Sequence, residues 1–427
     1  NIMTKLDSPN YMKKEKLPIE FNDAHAALRG FAESKLTSSI ILSAGINPAL
    51  YSYMENFEDF YPSERNKLIK KITLKVSDYR SAIIQGKFLA KKGLWVSEYR
   101  IESGLNCGGH AFATDGFLMG PILEEFKNKR LELLETTHNV FCEALKSKDR
   151  YYPQEPLKVK ITAQGGVGTT EEHNFLLEHY GLDSVGWGTP FLLVPEVVNI
   201  DDKTLQLLKN AEEKDLYLSN ISPLGVPFNS LKNNTQDIEK NTLIEKGRPG
   251  SSCPKKYLTF NTEYTYLPIC TASRQYQNIK IRELEEKKLS AEDYKSQYEK
   301  IVDKSCLCVG LSNPAIISNG IEVKGNSLGV SVCPGPNMAY FNKVLSLREM
   351  VDHIYGRINV IDSADRPHMF IKELKVYIEY LKKMIDETIG SLSEKQIKYF
   401  QTFQSNLNNG IEYYKKLFSG YLSKYEM

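Results

Sequence analysis

The chain has 427 residues, 41% of them hydrophobic and 25% charged. That is the balance of a soluble globular protein of two or three domains, and it excludes collagen-like, mucin-like and disordered chains. Lys and Arg number 55 against 53 Asp and Glu, a net charge of +2, too little for a broad nucleic-acid-binding surface. No apolar run is long enough to span a membrane, and residues 1–16 are too polar for a signal peptide. Seven cysteines, an odd number, argue against a disulfide framework, so a reduced, cytoplasmic protein is expected.

Up to about residue 229, short apolar runs rich in β-branched residues alternate with helical stretches, the pattern of βα units on a parallel sheet. The spacing predicts strands at 38–43, 72–76, 94–101, 157–163 and 183–185, with helices at 78–92 and 170–180. Residues 230–256 are polar, hold Gly and Pro and lack periodicity, which predicts a linker or long loop. A Cys-containing region follows to about residue 340, interrupted by one strongly charged helix over 278–304. Ile371, Leu374, Ile378, Leu381 and Ile385 then recur at helical spacing. Ser393 and Gln396 form a capping-box pattern ahead of Ile397, Phe400, Leu407, Ile411 and Tyr414. A helical hairpin packed on the main body is expected there, with a partner-binding module as the alternative. The expected division is 1–229, a Cys-rich region over 230–345 and a helical region over 346–427.

Two glycine motifs carry chemistry. Gln164-Gly165-Gly166-Val167-Gly168-Thr169 lies between a predicted strand and a predicted helix. Glycines let backbone N–H groups approach an anion, and a helix N-terminus adds a favourable dipole. About twenty residues on, the next strand runs into Gly186-Trp187-Gly188-Thr189-Pro190. Successive strands that both end in Gly-rich loops are what the phosphate site of a (β/α)8 barrel requires at its last two strands. The other motif, Glu102-Ser103-Gly104-Leu105-Asn106-Cys107-Gly108-Gly109-His110, places a histidine at the C-terminal mouth of a strand. An imidazole there can serve as a general base, although a structural hydrogen bonder in a Gly-rich turn is the plainer alternative. His353 and His368 accompany no carboxylate cluster and are read as core or surface residues.

The run strand, helix, strand, Gly-Gly-His, then strand, Gln-Gly-Gly, helix, strand, Gly-Trp-Gly-Thr resembles the FMN barrels of the nitronate monooxygenases and flavin-containing enoyl-ACP reductases. The resemblance covers roughly residues 38–196. It implies a (β/α)8 TIM-type barrel in which His110 is the catalytic base. Gly108 and Gly109 would lie at the FMN, and Gln164, Gly165, Gly166, Gly188 and Thr189 would hold its phosphate. Cys107 stands where the family usually has Ala. The strand at 94–101 would be the sixth, which leaves only residues 1–36 for the first three, too few at roughly 25–30 residues per βα unit. Those strands are expected upstream of this chain or from a partner chain.

Five of the seven cysteines, Cys253, Cys270, Cys306, Cys308 and Cys333, fall within about eighty residues. Four dispersed thiolates can ligate a [4Fe–4S] cluster. The expected quartet is Cys270, Cys306, Cys308 and Cys333, with Cys253 as the substitute, against zinc or unliganded thiols. The leading expectation is an FMN-dependent oxidoreductase acting on a small molecule with an acidic C–H, with an iron–sulfur relay to a redox partner. A non-catalytic barrel subunit that binds a partner through its C-terminal helices, and a phosphate-ligand barrel enzyme without flavin, are the alternatives.

Overall fold

The computed structural model describes residues 2–4, 7–43, 45–323, 327–361, 365–388 and 393–425. Its centre is a six-stranded sheet: β1 (Ile2–Thr4), β2 (Ser38–Leu42), β3 (Lys70–Val76), β4 (Val96–Glu102), β5 (Lys160–Gln164) and β6 (Ser184–Gly186). All neighbours are parallel and the spatial order is the chain order. In register, Ile40 lies opposite Ile72, Leu74 opposite Tyr99, and Tyr99 opposite Ile161. The crossovers carry α1 (Asp23–Ala32), α2 (Tyr79–Ala90), α3 (Met119–Asn128), α4 (Arg130–Ser147) and α5 (Thr170–Tyr180). Sequential right-handed crossovers keep successive helices on one face of a sheet. Leu28, Phe31, Ala82, Leu89, Phe126, Phe141 and Leu176 from these helices share one core with Ile40, Leu74, Tyr99 and Ile161 of the strands.

The five strands expected from β-rich spacing are present. β1 was not foreseen, and among the described residues the two edge strands do not pair with each other. Among the described residues the sheet has six strands, two of them three residues long, fewer than the eight that enclose a filled interior, so a closed barrel is not shown, in keeping with the expectation that early strands are missing from this chain.

Two expectations are corrected. Residues 230–256 do not begin a loop, because β7 (Leu216–Ser219) and β8 (Phe228–Leu231) form an antiparallel hairpin. A helix over Thr235–Glu245 follows, capped by Asn234, whose side chain accepts from the Asp237 N–H. The charged helix is two helices, α6 (Arg274–Glu285) and α7 (Ala291–Val302). The break is chemical, since the Ser290 hydroxyl accepts the Asp293 N–H at 3.1 Å and starts a new helix.

Two C-terminal helices, α8 (Met369–Asp386) and α9 (Glu394–Tyr425), cover the two expected runs, but the fully buried residues of α8 are Met369, Phe370, Glu373 and Tyr377, and Ile385 and Ile397 of the expected stripes are exposed. They pack into the main core: Met369, Phe370 and Tyr377 of α8, and Phe403, Leu407 and Tyr414 of α9, are buried in the same cluster as the sheet. The rings of Phe370 and Tyr414 stack at 5.1 Å. No described helix is long and apolar enough to cross a membrane.

Candidate active site at the C-terminal edge of the sheet

β4 ends at Glu102, and the chain turns back through residues 103–110. The turn is pinned at both ends. Ser103 N–H donates to the Gln164 carbonyl at 3.1 Å, and the Ser103 hydroxyl donates to Glu373 at 2.5 Å while accepting the Asn106 N–H. At the far end, Asn229 N–H donates to the Gly109 carbonyl and Ala111 N–H to the Pro227 carbonyl, both at 2.9 Å. These bonds seat His110 against Phe228, ring centroids 4.9 Å apart, with His110 Nε2 2.7 Å from the Ser222 hydroxyl.

β5 runs directly into Gly165 and Gly166, at φ +123° and +81°. A Cβ on Gly166 would come within 2.0 Å of Asn106 Nδ2, and one on Gly165 within 2.8 Å of the Cys107 sulfur. Both the backbone conformation and the close approach of the neighbouring turn require glycine. β6 continues into Trp187, Gly188 and Thr189, and the two Gly turns meet in a cavity of about 180 Å³ closed by Asn106, Cys107, Gly108 and Asn337. Glu102 and Gly108 also line a second, larger cavity of about 910 Å³, whose walls include Lys75, His110, Leu224 and Tyr380. Of the residues expected around a phosphate and a base, Gly108, Gln164, Gly165, Gly166, Gly188 and Thr189 line the smaller cavity and His110 the larger, while Gly109 lines neither.

The polar side chains at this edge are mutually engaged. Lys75 pairs with Glu102 at 2.6 Å, and Gln164 Nε2 donates to the other Glu102 oxygen at 2.7 Å. The Thr189 hydroxyl accepts the Gly335 N–H at 3.0 Å. The Cys107 thiol donates to the Gln164 carbonyl at 3.8 Å; burial, followed by the charge of Glu102, pushes it well above its usual range.

Behind the Gly turn, three consecutive carbonyls are each taken by a side chain from the last third of the sequence. Arg366 donates to the Gly166 carbonyl at 2.9 Å, Asn337 to that of Val167 at 2.9 Å, and His353 Nε2 lies 2.9 Å from that of Gly168. Arg366 also makes a two-pronged ion pair with Glu172, at 2.7 and 2.9 Å, and that carboxylate accepts the N–H groups of Gly168 and Met369. Sequence reasoning missed Arg366, Asn337, Glu172, Ser222, Lys75 and Glu373. It took His353 for an isolated core or surface residue; it is buried, but as part of the site's support. Only Asn337 had a local signal, the turn-forming run Cys333-Pro334-Gly335-Pro336 before it.

The cysteine expectation is corrected. Among the described residues no group of three or more His, Cys, Asp or Glu is placed to hold a metal ion, so Cys270, Cys306, Cys308 and Cys333 do not assemble as a ligand set. Cys333 is drawn to the Gly turn instead: its carbonyl accepts the Gly109 N–H at 3.2 Å, and its side chain packs beside Phe228 and Leu307. Burial raises the thiols of Cys306 and Cys308, the latter to about 11. Cys253 and Cys270 share a small buried cluster with Ala272, and Cys306 and Cys308 both lie within electrostatic reach of Cys253. The hydrogen bond between the two thiols brings Cys253 down to about 7 and pushes Cys270 up.

No protein-family profile matches the chain, and no curated protein matches it. Among solved structures, FabK from Thermotoga maritima is 14% identical, covering 81% of this chain and 71% of that one, with a TM-score of 0.37. A point mutant of that protein is 11% identical, covering 83% and 73%, with a TM-score of 0.38. The enoyl reductase domain of MlnA from the macrolactin biosynthesis cluster of Bacillus amyloliquefaciens is 15% identical, covering 90% and 82%, with a TM-score of 0.41. Likenesses at this level do not establish a shared fold or activity.

Proposed function

We propose that this chain is an FMN-dependent oxidoreductase. In this reading the FMN phosphate lies where the Gly165-Gly166 and Gly188-Thr189 turns meet, and the substrate is presented to His110 in the larger cavity. The observation that carries the reading is the adjacency of the two cavities, one walled by glycine turns at the ends of β5 and β6, the other holding the imidazole. The residues fit the group. A Cβ at Gly165 or Gly166 would collide with the facing turn, the carbonyls of Gly166, Val167 and Gly168 are bound by side chains, and with the Gly168 N–H taken by Glu172 the donors facing an anion are those of Gly165 and Gly166.

When bound, a flavin supplies a two-electron acceptor. His110 takes the proton from an acidic substrate carbon, and Ser222 holds the imidazole at Nε2. Lys75 lines the larger cavity and its ion pair offsets the charge of Glu102, which lines both cavities. A nitroalkane is the simplest substrate of this class.

Titrating free FMN with the purified protein and following its fluorescence tests the reading. Quenching that saturates at one FMN per chain is expected, as is release of FMN on heating. Unchanged emission at protein concentrations of tens of micromolar, on the order of ordinary working affinities, would overturn it.

A further inference from the structure

A separate cavity of about 500 Å³ opens on the contact between Cys253 and Cys270, and both cysteines line it. It shares no lining residue with the two cavities at the sheet edge. Three cations stand around it: Lys14, Lys256 and Arg274. There is no Asp or Glu among its described lining residues. Arg274 carries a buried Nε with no hydrogen-bond partner, a donor available to an incoming acceptor. Pro268 and Ile269 contribute an apolar wall.

The pair is held by backbone as well as by contact. Ser251 N–H donates to the Ala272 carbonyl at 3.0 Å and Arg274 N–H to the Ser251 carbonyl at 2.8 Å, which ties the segment before Cys253 to the one after Cys270. Lys255 reaches the Ser312 hydroxyl at 2.5 Å, which anchors the other side of the Cys253 turn. Cys253 itself sits at φ +51°, directly before Pro254. A non-glycine residue in that region is uncommon, and such conformations gather at functional sites. Two cysteines of one buried cluster that line the same cavity on tied backbones are placed as a dithiol and not as two scattered core residues.

We propose that this cavity is a thiol–disulfide exchange site for an anionic low-molecular-weight disulfide, with Cys253 the attacking sulfur and Cys270 the resolving one. Cys253 attacks one sulfur of the external disulfide, whose S–S bond breaks and releases the first thiol. Cys270 then attacks the mixed disulfide at Cys253 and releases the second. The two protein thiols are oxidised to one disulfide, the external disulfide is reduced to two thiols, and the two protein protons leave on them. The cations select the charge of the disulfide, since local fields of one sign raise encounter rates with the opposite charge about 10-fold or more. The site does not depend on bound flavin, so its failure leaves the oxidoreductase reading untouched.

The test uses the full chain, reduced and then desalted, with oxidised glutathione as the anionic probe and cystamine as the cationic one. Intact mass and peptide mapping follow the reaction. One Cys253–Cys270 disulfide is expected, formed about 10-fold or more faster with oxidised glutathione than with cystamine at low ionic strength. Cys270→Ser is expected to trap one glutathione on Cys253, while Cys253→Ser leaves Cys270 unmodified over the same time. Mapping of the unmutated chain keeps the test decisive if either variant fails to fold. Equal rates with the two probes, a disulfide to Cys306 or Cys308, or metal found bound to these thiols in the purified protein would each overturn the proposal.

Discussion

Arg366 and Gly166, 200 residues apart in the chain, meet through a single hydrogen bond from the guanidinium to the glycine carbonyl. The same guanidinium pairs with Glu172, with both side chains almost wholly buried. The residue that shapes the Gly turn is therefore also one half of a buried ion pair, and the fold of the last third of the chain is written into the site.

Replacing Arg366 with Ala leaves the Glu172 carboxylate buried without its partner, at a cost of about 3–5 kcal/mol. It also frees the Gly166 carbonyl. Urea unfolding of Arg366→Ala is expected to show that loss, together with loss of FMN quenching. Full stability and unaltered quenching would show that the clamp is incidental.

The glycines of the two turns should not be equivalent. Gly166→Ala places a Cβ against Asn106 at a left-handed φ and is expected to abolish FMN binding. Gly188 has φ −132° and open space around its missing Cβ, so Gly188→Ala should bind FMN within about 3-fold of the parent, a difference under 1 kcal/mol. Fluorescence titration of the two variants side by side measures the contrast.

His110→Ala is expected to slow anaerobic reduction of the bound flavin by a nitroalkane by about 10²–10⁴-fold with FMN affinity unchanged. Stopped-flow absorbance at the flavin band reads the rate. An unchanged rate would leave His110 as a packing residue on Phe228.

Glu373 links α8 to the site through Ser103, the Met119 N–H and Tyr414, and complete burial raises its carboxyl to about 7. The sign follows from proton counts. Between the ordinary carboxylate range and pH 7 the folded state holds a proton that the unfolded chain has released, so stability falls as pH rises through that window. Glu373→Gln, which keeps the shape and cannot ionise, should remove that slope. Thermal melts from pH 5 to 8 should show the parent losing stability by up to roughly 3 kcal/mol relative to the variant. Parallel pH profiles would place the titration elsewhere.

Local pattern was enough for part of this molecule. Ile40, Ile72, Leu74 and Ile101 sit in short β-branched runs, and such runs separated by helical periods can only bury themselves as parallel strands. The positions of Gly165, Gly166 and His110 at strand ends were legible for the same reason, since a strand's end is set by where its apolar run stops. The break at Ser290 carried no such signal, because charged residues run along the chain on both sides of it.

What only the tertiary structure decided is where distant segments meet. Arg366, Asn337 and His353 carry no local mark of their partners, because a hydrogen bond to a carbonyl 170 to 200 residues away leaves no spacing in the chain. The cysteines make the same point in reverse. Cys333 stands only 27 residues from Cys306, yet its carbonyl is claimed by Gly109, while Cys253 and Cys270 are brought together by the backbone bonds between Ser251, Ala272 and Arg274. Sequence distance bounds which residues can meet; the competition among backbone donors and acceptors for partners selects which of them do.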